Sequence, residues 1–272
     1  MIDLDKLNTW SDLRRRYQDV SWLVPGWLPN GYVTMLAADP GVGKSLLALS
    51  VCQQILTGDS FWDGHYLPKP DPIRLHRVLW IEAEAGEPFH MARAERLGIN
   101  PLQIIEPRLT NTEGSTPSLT STADRELISD ILHHPDVVFA VVDSLSAASA
   151  GVDENSSAAG QSVAWLAEQA RNTNKPILVI HHMNKSAMRT RGSAPPGLAD
   201  IRGSTAISQH ARVIWTLDNP SEQEPSIIRL ACAKSNLAVK PQPQTLRIVD
   251  GRILHHAAAV EPRQEYFPRD VF

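Results

Sequence analysis

The chain has 272 residues, 42% of them apolar, and a formal net charge of -4 at pH 7. That is enough apolar chain for a core without staples, and the acidic balance excludes a polycation, so any nucleic-acid contact has to come from a local basic patch. The two cysteines, Cys52 and Cys232, are far apart with no CxxC spacing and no histidine cluster beside them, which argues against a disulfide framework or a zinc site and points to a reducing cytoplasm.

The first residues, MIDLDKLNTW, are acidic and polar where a signal peptide is basic and then apolar, and no apolar run is long enough to span a bilayer. A soluble intracellular protein with no membrane partner is expected. Residues 1–21 form a lead-in. With Trp10, Trp22, Trp27, Pro25 and Pro29 the first 30 residues are irregular, expected to pack on the adjoining domain and to carry no chemistry. A core over 22–256 and a tail over 257–272 complete the expected division.

Within the core, short apolar runs alternate with segments of helical period: GYVTMLAA then SLLALSVCQQIL, HRVLWIEAE then PFHMARAERL, RELISDILHH then VVFAVVDSL, and SVAWLAEQARN then PILVIHHM. In the last helical segment Val163, Leu166, Ala167 and Ala170 fall on one face. The apolar runs are too continuous for strands with one wet face. Strands buried on both faces and joined by helices predict a mostly parallel sheet in an α/β layered fold. After residue 210, ARVIWTLD, SIIRLACAKS and QTLRIVDGRILHH succeed one another without a helix, so extra antiparallel edge strands are expected there. PKPDP at 68–72 and SAPPG at 193–197 look like loop insertions.

The strand YVTMLA leads through a loop of small residues, Ala38, Asp39, Pro40, Gly41, Val42 and Gly43, into a helix that opens with Lys44, Ser45 and Leu46. This fits [AG]xxxxGK[ST] with the strand before and the helix after that the pattern requires, although Ala38 stands where Gly is commoner. The two glycines let successive backbone N–H groups face one concavity at the positive end of a helix dipole, a cradle for phosphate oxygens. Lys44 adds a charge for the β- and γ-phosphates, and the Ser45 hydroxyl is a ligand for Mg2+. The expected cofactors are ATP and Mg2+.

Three more strand ends bear on that phosphate. Asp143 closes FAVVD and puts a carboxylate at the C-terminal edge of the sheet, beside the metal's waters. VLWIEAEAG ends with Glu82 and Glu84, either of which could activate the attacking water; Glu84 is favoured because it lies at the strand end, and Glu82 is the alternative if it is not a partnered buried acid. His181 and His182 close ILVIHHM; neighbours on a strand point to opposite faces and chelate one ion poorly, so a γ-phosphate sensor made by one of them is the better reading.

Together LAADPGVGKS, VLWIEAEAG, VVDSLS, VIHHMNK, DIRGSTAISQHARVIW and LACAKSN, in that order, resemble the RecA-like ATPases, and within them the single-domain hexameric helicases of the plasmid RepA kind and their prophage-borne relatives. The resemblance covers about residues 22 to 255. It implies a RecA-like three-layer sandwich in which Glu84 is the catalytic carboxylate, Asp143 the Walker B acid and His182 the sensor. It further implies ATP bound at a seam between identical subunits, completed by an arginine of the next subunit, which Arg212 matches here. Lys234 is the other candidate for a cation acting across the seam, and a solvated surface charge is the alternative for both.

Residues 184–202 carry Lys185, Arg189, Arg191 and Arg202 against Asp200, a net charge of +3 in an acidic protein, on a stretch rich in Gly, Ser and Pro. The resemblance implies that this loop and the one at about 147–160 face a central pore and grip single-stranded DNA, which suits Lys and Arg on a loop; the segment lacks an aromatic for base stacking, and a merely solvated loop is the alternative. These features together read as an ATP-driven motor on single-stranded DNA, a ring-shaped and hexameric replicative helicase of a plasmid or other mobile element. Two other readings compete with it: an ATP-dependent binding or loading factor that unwinds nothing, and a small-molecule kinase, for which no arginine-rich lid is evident. Tyr32 or a tail aromatic could stack on the adenine, although core packing explains Tyr32 as well.

Overall fold

The computed structural model describes residues 3, 6–12, 19–108, 116–153, 156, 158–184, 194–203, 205–221 and 223–256. Residues just after the lead-in form β1 (Trp22–Val24) and β2 (Leu28–Pro29), an antiparallel pair. Then come β3 (Val33–Ala38), α1 (Lys44–Thr57), β4 (Arg77–Glu82), α2 (Glu87–Leu97), β5 (Ile104–Ile105), α3 (Thr122–His133), β6 (Val137–Asp143), α4 (Leu145–Ala148), α5 (Ala159–Thr173) and β7 (Ile177–His182). The chain continues through α6 (Thr205–His210), β8 (Val213–Asp218), β9 (Ile227–Ser235), β10 (Gln244–Val249) and β11 (Arg252–His255).

Strands β3 to β11 form one nine-stranded sheet in the order β11-β10-β9-β8-β3-β7-β6-β4-β5. The six from β8 to β5 run parallel, and β9, β10 and β11 add antiparallel neighbours at the far side. Burial follows the two-residue period of a pleat with both faces covered. On one face Leu36, Ala38, Trp80, Phe139, Val141, Leu178 and Ile180 pack with α1 residues Leu47, Leu49 and Val51. On the other, Met35, Ala37, Leu79, Ile81, Val142 and Val179 pack with Ile128 and Leu132 of α3 and Val163, Leu166 and Ala170 of α5. The expected three layers, parallel sheet and added edge strands are all present.

One strand departs from the expectation. ARVIWTLD, grouped with the edge additions, becomes β8, which lies parallel to β3 inside the sheet. The short helix α6 makes its crossover, close against α5 at Gly160, where a Cβ would meet the Ala206 carbonyl oxygen at 2.9 Å. β8 also anchors the β1–β2 pair: the Trp215 indole donates to the Trp27 carbonyl at 3.1 Å, and Trp27, Phe61 and Trp215 pack ring against ring. Trp10, by contrast, is exposed. Among the described residues no helix is long and apolar enough to cross a membrane.

Candidate active site

Register brings the strand ends together. Ala38 pairs with His182 across β3 and β7, and Glu82 pairs with Asp143 across β4 and β6. Because all four strands are parallel, their C-terminal ends and the loops that leave them share one edge of the sheet, the place where open α/β sheets bind ligands. The loop from Asp39 to Gly43 opens there. Gly41 has φ 81° and Gly43 φ 106°, the left-handed side that L side chains avoid. At Gly41 a Cβ would meet nothing within 4 Å, so conformation and not space requires the glycine. Helix α1 starts at once, and the first amides of a helix have no carbonyl partner within it. These are the donors that the phosphate cradle needs.

Lys44 is buried at the loop's centre, its Nζ donating to the carbonyls of Ala38 at 3.3 Å and Asp39 at 3.0 Å. Burial pushes its pKa down, opposed by the charges of Asp143, Glu84 and Asp39. Asp143 is buried, and burial lifts its carboxyl to about 6; the Ser45 hydroxyl and His90 pull it down, and Glu82 and Glu84 push it up. The Ser45 hydroxyl lies near enough to Asp143 to lower its pKa, so the two supply hard oxygen atoms at the foot of the cradle. This donor set fits Mg2+, which takes oxygen ligands and keeps most of its waters.

The two glutamates have different work. Glu82, the last residue of β4, is 1% exposed. Its Oε1 accepts from the amides of Glu84 at 2.8 Å and Gly86 at 3.2 Å, and its Oε2 accepts from the Trp80 indole at 3.2 Å. Burial alone would raise its pKa, but His90 and the two amides outweigh burial and hold it low. Glu82 is thus the partnered buried acid, and it fixes the turn that carries Glu84. The Glu84 side chain is about half exposed, accepts from the Ser144 hydroxyl, and has Oε1 3.6 Å from His182 Nε2. A half-exposed carboxylate held beside the phosphate cradle can reach a water molecule.

The histidine pair splits as the strand period requires. His181 is fully buried, with Nε2 2.8 Å from the Arg202 carbonyl oxygen. His182 faces the site, its pKa lowered first by burial and then by Lys44, with Glu84 acting the other way.

Arg212 is on the opposite edge. Its amide donates to the carbonyl of Val33, the first residue of β3, whereas the phosphate loop leaves the last, Ala38. Five residues of strand separate the two by about 16 Å. Tyr32, one residue before Val33, is on that far edge too, which removes it as a stacking partner for a base held by this chain's own loop. Lys234, near the end of antiparallel β9, also lies there, with Nζ donating to the carbonyls of Ser208 at 2.9 Å and Ala211 at 2.8 Å. Arg202 stands next to the site, its amide donating to the His182 carbonyl at 3.1 Å. Lys185, Arg189 and Arg191 lie outside the described residues.

Three neighbours escaped sequence reading. Ser144 had a faint signal, since it comes directly after Asp143. His90 had none, being a histidine inside an ordinary helical stretch, and neither did Ile248, whose side chain would lie 3.4 Å from a Cβ on Gly43.

Comparison with known proteins gives the chain a family and a fold. Residues 4–188, more than half of the chain, match the family model described as the AAA domain. The chain belongs to this family. Its fold and phosphate loop are those of a RecA-like P-loop NTPase. Similar chains include the DNA repair protein RadA of Bacillus subtilis (strain 168), 29% identical over 168 residues, which are 59% of this chain and 30% of that protein. RadA of Synechocystis sp. (strain ATCC 27184 / PCC 6803 / Kazusa) is 32% identical over 91 residues, 34% of this chain and 14% of that one. The matched region thus spans less than a third of these relatives. Among solved structures, the ATPase domain of G40P superposes with TM-score 0.63 at 14% identity, covering 91% of this chain and 96% of that one. A DnaB-like replicative helicase described with its primase interactions gives 0.61 at 14% identity, covering 91% and 65%. The RadB recombinase gives 0.54 at 19% identity, covering 84% and 92%.

Proposed function

We propose that this AAA-domain protein is an ATP-hydrolysing motor on single-stranded DNA, a replicative helicase of a plasmid or other mobile element that works as a ring of six identical subunits. The observation that carries the reading is the distance between Arg212 and the phosphate loop. With its backbone about 16 Å from the loop along β3, farther than one arginine side chain spans, Arg212 cannot complete its own chain's site, but it can complete a neighbour's. Two copies stacked with the Arg212 edge of one against the loop edge of the other make a head-to-tail contact, which closes into a ring if the rotation allows.

Within the site, Ser45 would hold Mg2+ directly and Asp143 through its waters; when bound, the ion neutralises charge on the β- and γ-phosphates. Lys44 exchanges the carbonyls of Ala38 and Asp39 for phosphate oxygens. Glu84, fixed through the Glu82 turn and by Ser144, orients the attacking water and takes its proton. Arg212 of the adjacent copy stabilises charge on the transferring group. His182 senses the γ-phosphate, and through β7 it is continuous with the basic stretch 184–202, where Lys185, Arg189, Arg191 and Arg202 grip DNA phosphates together with the loop at 147–160. Lys234 would serve the seam only after leaving the carbonyls of Ser208 and Ala211.

The names of the similar proteins, helicase, DNA repair protein and recombinase, support work on DNA and also favour a second reading: an ATP-dependent factor that binds or loads on single strands without unwinding. A forked duplex decides between them. The motor displaces a strand with ATP and not with a non-hydrolysable analogue. ATP turnover stimulated by single strands, with no displacement in either polarity, leaves the second reading.

A further inference from the structure

Behind the phosphate cradle Glu82, His90 and Asp143 converge, each offering a ligand atom, with these atoms all within 4.8 Å of one another. Nδ1 of His90 is 2.6 Å from Oε2 of Glu82, and Nε2 faces Oδ2 of Asp143 across 3.7 Å. In metal centres the ligating imidazole turns its other nitrogen to a carboxylate, which fixes ring orientation and tautomer. Glu82, immobilised by Trp80, Glu84 and Gly86, lies beside that nitrogen, and a small turn of the ring aligns the contact as a hydrogen bond. Two ligand bonds of about 2.1 Å opening at the tetrahedral angle of about 109° span about 3.4 Å, so the 3.7 Å between Nε2 and Oδ2 has to close by only a few tenths of an ångström to hold one ion.

Asp143 adds an independent observation. Its Oδ2 is buried and accepts no hydrogen bond among the described residues, although the residue is only 4% exposed. A buried carboxylate oxygen without a hydrogen bond is costly, and a cation removes that cost. Gly86 leaves room for the ring, since a Cβ there would lie 3.1 Å from His90 Cε1.

We propose that His90 Nε2 and Asp143 Oδ2, backed by Glu82, form a site for a first-row transition divalent cation of the Zn2+ or Co2+ class, with water filling the other positions. It differs in chemistry from the Ser45 place: a nitrogen ligand selects these ions over Mg2+, which prefers oxygen alone. It also needs no phosphate. An ion there ties Asp143 through His90 and Glu82 to the turn carrying Glu84 and slows hydrolysis, a consequence that rests on the function proposed above.

The test titrates the nucleotide-free full chain with Co2+, read by its visible ligand-field absorption, in excess Mg2+. The expected result is one Co2+ per chain, weakened at least about tenfold in both His90→Ala and His90→Gln and unchanged in His134→Ala, which removes an exposed histidine elsewhere. Thermal melting of the nearly space-filling Gln variant confirms that it is folded. Absence of uptake by the parent chain, or uptake that persists in both His90 variants, overturns the site. Magnesium ATP binding by the parent chain is measured in parallel. Co2+ uptake without ATP binding keeps this site and removes the ATPase reading, and ATP binding without Co2+ uptake does the reverse.

Discussion

At the scale of single residues, the site separates acids that resemble each other in sequence. Glu82 and Glu84 are two positions apart, yet one is sealed in the sheet by four partners and the other reaches solvent. Glu84→Gln is expected to lower ATP turnover by about 10²–10⁴ while nucleotide binding persists, measured by steady-state phosphate release and equilibrium binding. Asp143 yields a stability prediction. Burial above all lifts its pKa from 3.8 to about 6. At pH 7 the folded chain therefore carries an ionised carboxylate at a cost that the unfolded chain does not bear. That cost shrinks as pH falls through 6 and is gone below 3.8. Asp143→Asn should raise the melting temperature of the nucleotide-free protein at pH 7, by an amount worth at most about 3 kcal/mol, and the gain should vanish near pH 4. Turnover should be lost in the same variant.

Secondary-structure elements were legible wherever the signal was local. The helix from Lys44 to Thr57 lies between a glycine loop and Gly58, whose φ of 69° ends it. The segments that became α2, α3 and α5 showed their period, and the strands that became β3, β4, β6 and β7 showed their continuous apolar runs. β8 was misplaced because its crossover helix, α6, has six residues, too short to show a period. The parallel pairing of β8 depends on α6 packing tightly on α5. Gly160→Ala is expected to destabilise the protein by about 1–3 kcal/mol, read by urea unfolding, because the obstacle is a backbone carbonyl that cannot turn aside. The two tryptophans that dock the β1–β2 pair, Trp27 and Trp215, were visible as residues but not as a pair, since 188 positions separate them.

For the whole molecule, the loop edge and the Arg212 edge of the sheet define how copies would stack. Arg212→Ala should leave ATP binding intact and lower turnover about 10³-fold or more. Mixed with Glu84→Gln chains, it should regain part of the activity, since some seams then combine an intact carboxylate from one copy with an intact arginine from the next. No recovery, with assembly intact by light scattering, would count against the seam. The amino-acid sequence by itself determined the phosphate loop, the parallel α/β layers and the candidate acids, because each is written in contiguous residues whose backbone conformation and burial are set locally. Only the tertiary structure decided which glutamate is sealed, that His90 stands between two acids, and that the Arg212 backbone lies at the far end of β3 from its own phosphate loop. Those are matters of register and distance between strands remote in sequence, and they exist only once the sheet has closed its pairings.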